Sequence, residues 1–205
     1  MDSRRGKTGT IDERLKRILI LVGLVIVVGA LYLWAQGRPR LVEPQVRIPV
    51  SEQANAQARK NKDAAAVVDV VQKMYYNAWM SEYALKNGGW KNVLPLLTDA
   101  YRERVRGDEA YQDAISVGSL AGTVRKVTLS KKNSSILGID LRTRGKDKNT
   151  AYVLVSVKLG IDQEQAGDYY LVQQCIVRLT KVDGEWKIDE IGIIKSTQEP
   201  ARLVE

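Results

Sequence analysis

Residues 18 to 35, ILILVGLVIVVGALYLWA, contain no charged side chain, and this run limits what the chain can fold into more than any other. As a helix rising about 1.5 Å per residue it reaches roughly 27 Å, close to the ~30 Å hydrocarbon core of a bilayer. Lipid offers backbone groups no partners, so a lone span must be helical. The sequence therefore predicts one transmembrane helix, anchored by residues such as Ile18, Leu21, Leu24, Ile26, Leu31 and Trp34. Two other readings compete. Val28-Gly29-Ala30 after the basic residues Arg14, Lys16 and Arg17 resembles a signal-peptide cleavage site, yet the apolar run continues through Leu31, Tyr32, Leu33 and Trp34, where a polar region should begin. A buried core helix would normally carry a polar face, and this run has none.

The flanks orient the span. Arg4, Arg5, Lys7, Arg14, Lys16 and Arg17 precede it, whereas Arg38, Arg40 and Arg47 follow, which predicts a cytoplasmic N-terminus with the rest of the chain outside. The formal net charge of +8 is spread along the chain, so no nucleic-acid footprint is expected. There is no histidine and one cysteine, Cys175. Histidine-dependent triads and zinc sites are thereby excluded, as is an intramolecular disulfide. No cofactor or metal is expected.

In order, 1–17 reads as a cytoplasmic tail, 18–35 as the span and 36–62 as a linker with Pro39, Pro44 and Pro49, stiff enough to act as a spacer. Its second half, from Ser51, also suits the start of a helix. Residues 63–196 read as one extracytoplasmic domain and 197–205 as a frayed tail. Asp63 is an N-cap candidate for a long helix in which Val67, Val71, Met74, Ala78 and Leu85 recur at helical spacing,. Asn87-Gly88-Gly89 ends it. A short element with Pro95 follows, and then a third helix capped by Thr98. Beyond Gly118 the period falls to two, predicting five antiparallel strands over 124–129, 136–142, 152–161, 169–182 and 186–195. Asp183-Gly184 is the strongest hairpin signal among them,. The fold class is α+β.

The element order, the aromatics Tyr75, Tyr76, Trp79 and Tyr83, the segment WKNVLPLLTDAYRERV and the closing KVDGEWKIDEI resemble the nuclear-transport-factor-2-like superfamily. That resemblance implies a cone of three helices packed on a curved antiparallel sheet. With a single N-terminal span it is similar to two bacterial groups: the inner-membrane assembly factor of type IV secretion and conjugation machines, and the Mce-associated membrane proteins. The first implies a non-enzymatic scaffold whose partners are the membrane and other envelope-complex proteins. A homo-oligomer is compatible with it. The second implies an accessory protein that binds a lipid or small apolar ligand for transport. A third branch of the superfamily, ketosteroid-isomerase-like and polyketide-cyclase-like enzymes, needs a buried carboxylate or histidine as base. Asp140 is a poor match, because strand parity groups it with Ile136, Gly138 and Arg142 on a mixed face. One of Gln173 and Gln174 must turn towards the core. If the domain docks, Tyr76, Tyr83, Tyr101, Arg102 and Arg104, which lie off or beside the apolar stripes, are the candidate partner contacts, since aromatic and arginine side chains dominate interface energies.

Overall fold

Alternation of apolar and polar residues with period two produces the five expected strands, all paired antiparallel in one sheet. These are β1 (Val124–Leu129), β2 (Ser135–Arg142), β3 (Thr150–Gln163), β4 (Tyr169–Val182) and β5 (Glu185–Pro200). The computed structural model describes residues 22, 24–31, 40–87, 89–107, 124–142, 148–164 and 167–200. The long β3 is the hub of the sheet. One of its edges takes β2 along its first half and β1 along its second, and the other takes β4, which in turn pairs with β5. Asp183 and Gly184 join β4 to β5 with φ of 50° and 86°, the left-handed pair that suits a two-residue hairpin. β5 runs past the expected end at Lys195. Thr197 lies opposite Val172 and Pro200 opposite Tyr169, so residues 197–200 are strand rather than tail. Their side chains are mostly polar and exposed, so alternation carried no signal there.

The helices precede the sheet. Ser51 caps α1 (Glu52–Lys60), its Oγ accepting from the Ala54 N–H at 3.2 Å. Asn61, not Asp63, caps α2 (Lys62–Tyr75), its side chain accepting from the Asp63 N–H at 2.8 Å. α2 continues as a π-helical turn, Tyr76–Met80, and stops where Ser81 becomes extended. α3 (Glu82–Asn87), α4 (Gly89–Val93) and a 3-10 turn at Leu94–Leu96 follow. Thr98 then opens α5 (Asp99–Gly107), its Oγ1 accepting from the Tyr101 N–H.

The core lies between one face of the sheet and these helices. Val153, Val155, Val157, Leu159 and Ile161 of β3 are all buried to 1% exposure or less, and they pack in one core with the buried Val67, Val71, Met74, Tyr75, Ala78 and Trp79. Trp186 is buried as its place in the closing hairpin predicts.

Compactness divides the chain into Met1–Arg38 and Pro39–Glu205. In the first unit, residues 24–31 are α-helical and their large apolar side chains keep between 55% and 67% of their surface exposed. Among the described residues, no helix is long and apolar enough to cross a membrane. Ile18, Leu21 and Trp34 of the expected span lie outside them.

Candidate functional site

The segment expected to be a free spacer is instead a strap bound to the domain. Two amide side chains on α2 and its π turn hold it. The Ile48 N–H donates to Gln72 Oε1 at 2.8 Å while Gln72 Nε2 donates to the Ile48 carbonyl at 2.7 Å. The Val42 N–H donates to Asn77 Oδ1 at 2.7 Å and Asn77 Nδ2 donates to the Val42 carbonyl at 2.8 Å. Each amide thus does for one strap residue what a neighbouring strand would do, and that requirement explains why Gln72 and Asn77 are buried in an otherwise apolar face,. Lys73 adds ion pairs to Glu43 at 2.9 Å and Asp69 at 3.0 Å. These carboxylates, Glu43 first, raise its pKa. At its end the strap bridges β2 in parallel, Val50 beside Ile136, and Ile48 is 1% exposed.

The residues expected to meet a partner separate into different roles. Tyr101 is completely buried, and its hydroxyl accepts from the Ile191 N–H at 3.2 Å. Tyr76 is also buried, at 5%. Neither is the exposed contact that the helical stripes predicted. α5 packs over the edge of β5, and Tyr76 lies on the strap side of the helix, where it lines a groove with Val42 and Gln45. Arg102 is half-buried and ties down the chain before it, donating to the carbonyls of Leu94 and Leu97 and pairing with Asp99. Arg104 remains exposed. It lies 4.9 Å from the Tyr101 ring centroid and donates to the Asp189 carbonyl. The Tyr83 side chain lies outside the described residues. Asp140 is solvated and paired with Arg142, as strand parity implied.

Between the π turn and the strands lies a slot. Met74, Ala78 and Trp79 line it from the helix, and Ile191 and Ile193 from β5. Its polar atoms come from Tyr75, Gln173 and Cys175. The Tyr75 hydroxyl and Cys175 Sγ are 2.6 Å apart and buried. Burial pushes the Tyr75 phenol well above its usual range and raises the Cys175 thiol as well, so both stay neutral. Of the two glutamines in β4, Gln173 faces inward at 9% exposure and Gln174 faces out. Irregular backbone flanks the slot on both sides, with the π turn at Tyr76–Met80 and a bulge in β5 opposite Gln174 and Cys175.

No family model and no curated protein matches the chain. The site must therefore be read from its own chemistry. Among the described residues no group of three histidine, cysteine or acidic side chains could hold a metal ion. The slot offers neutral hydrogen-bonding groups and apolar walls, which suit binding.

Proposed function

We propose that the chain is a single-pass, membrane-anchored docking component of a bacterial envelope machine, closest in kind to type IV secretion or conjugative transfer, and that it acts without catalysis. In this reading residues 18–35 form the span, the N-terminus is cytoplasmic, and the helices and sheet form a cone-shaped extracytoplasmic module. The observation that carries the reading is the exposed, wholly apolar helix at 24–31. Exposed side chains of this kind call for a lipid environment rather than water. The strap supports it, because a docking domain works best when fixed to its tether, and only residues 32 to 39 separate the described helix from the strap.

Topology and partners test the proposal together. In spheroplasts, external protease should remove the domain while a tag on Met1 survives. Photocrosslinkers at the exposed positions Arg104 and Ile176 should capture other envelope proteins. A clipped N-terminal tag would reverse the orientation. A mature chain beginning near Leu31 would show a cleaved leader, and crosslinks confined to lipid would remove the docking role.

A further inference from the structure

The outer edge of β5 is covered along its first half and bare along its second. Up to Ile191 the chain supplies its own cover: the Thr98 N–H donates to the Ile188 carbonyl at 2.8 Å, Arg104 donates to the Asp189 carbonyl at 3.0 Å, and the Ile191 N–H donates to the Tyr101 hydroxyl at 3.2 Å. From Gly192 to Pro200, roughly 30 Å of strand, β4 takes one side, and no described residue bonds the backbone on the other. A strand edge of this length offers a row of unmet N–H and C=O groups to an extended chain. Ile194, at its start, is 57% exposed. We propose that the edge is filled by a second copy of the chain, β5 pairing antiparallel with β5 about a two-fold axis at Thr197, so that the two sheets become one.

Charge selects both the partner and the register. Lys195, Thr197 and Glu199 lie opposite Gln174, Val172 and Tyr170 of β4, so they share one face of the sheet. Identical strands that pair antiparallel are related by a two-fold axis, and the residue beside that axis faces its own copy. An axis at Lys195 sets lysine against lysine, and one at Glu199 sets glutamate against glutamate. Axes at Ser196 or Gln198 leave Lys195 without Glu199. Only the axis at Thr197 pairs each Lys195 with the other copy's Glu199, and it also brings Thr197 onto Thr197, Ser196 onto Gln198 and Ile194 onto Pro200. Opposite charges and paired threonines are favourable cross-strand neighbours. Lys195 is exposed. Glu199 uses only its Oε2 on Lys158, at 2.7 Å, which leaves Oε1 for the incoming lysine. A lysine and a proline on an edge discourage most strands. Here both are matched by the same strand from a copy, so the edge rejects others and accepts its own. The paired stretch stops at Ile194, clear of Tyr101 and Arg104. The inference stands on the strand edge alone and does not depend on the docking reading.

The test uses the full chain in detergent, with self-association read by analytical ultracentrifugation. Lys195→Glu makes a copy with two acidic positions on the edge, and Glu199→Lys makes one with two basic positions. Each variant alone sets like charges together at both pairs and should dimerise about tenfold more weakly than the parent. An equal mixture restores opposite charges at both and should dimerise within about threefold of it. A misfolded variant would not be rescued by the other, and association through residues 18–35 would be blind to these charges. Thr197→Cys, treated with a bis-thiol reagent of about 5 Å reach, should yield a covalent dimer, whereas Lys132→Cys on the exposed turn at Lys131–Asn133 should not. A parent that stays monomeric, single variants that associate as the parent does, or a mixture no tighter than its components would each overturn the proposal. So would a photocrosslinker at Thr197 that captures only other proteins in cells, which would give the edge to a partner's strand.

Discussion

Asp63 shows how one carboxylate joins the first long helix to the last hairpin. Its Oδ1 accepts from Lys181 Nζ at 2.6 Å and from Trp186 Nε1 at 3.0 Å. These contacts, the lysine first, hold the Asp63 pKa below its usual value. A carboxylate whose pKa is lower folded than unfolded contributes stability above its unfolded pKa, and that contribution disappears as pH falls through the folded value. Asp63→Asn should therefore lower the urea midpoint at about pH 7, and the gap between parent and variant should close as pH falls below the lowered folded pKa. The drop is modest, because the Asp63 side chain is 39% exposed and solvent screens such pairs. A gap that stays constant with pH would show that the contact works by shape and not by charge. The burial of Trp186 was legible in the closing hairpin. Its partner was not, because 123 residues separate the two and periodicity carries no information about such pairs.

At the scale of elements, the strands were readable and the strap was not. Period-two patterning and Asp183-Gly184 located β1 to β5 to within a few residues, because one face of each strand is buried and the other is solvated. The strap reads as a spacer because Pro39, Pro44 and Pro49 dominate it. What binds it is the pairing of Gln72 and Asn77 with single backbone residues, and in sequence those amides are only polar interruptions of a helical stripe. The misplaced partner contacts have a related cause. Tyr76 is covered from the strap side and Tyr101 by β5, and helical spacing along one element cannot anticipate what a distant segment covers. Gln72→Leu tests the strap, since it strands the Ile48 N–H and carbonyl in a buried position at a cost of about 1–3 kcal/mol for each group. Urea unfolding should report that loss, and the Ile48 amide should exchange with solvent far faster than in the parent. An unchanged midpoint with a still-protected Ile48 amide would mean that packing alone holds the strap.

For the molecule as a whole, the only cysteine reports global opening. Cys175 is 3% exposed, hydrogen-bonded to Tyr75 and kept protonated by burial, and the thiolate is the reactive form. A thiol reagent should therefore label the native chain only as fast as the domain opens. The opening free energy from labelling should match that from urea unfolding. Rapid labelling of a folded sample would show that the slot opens locally, which would identify its mouth as a flexible region of the domain.

The two brackets on the strap act in series, which matters if the tether is ever pulled. Tension arriving from the N-terminal side meets Val42 on Asn77 before it reaches Ile48 on Gln72. The clasps therefore give way one after another, each at low force, and do not fail together at high force. Peeling residues 42 to 48 from the helix frees roughly 24 Å of chain at about 3.4 Å per residue, before load falls on the hydrogen-bonded ladder of the sheet. The strap would then act as a mechanical fuse, resetting when slack returns and sparing the core from strain.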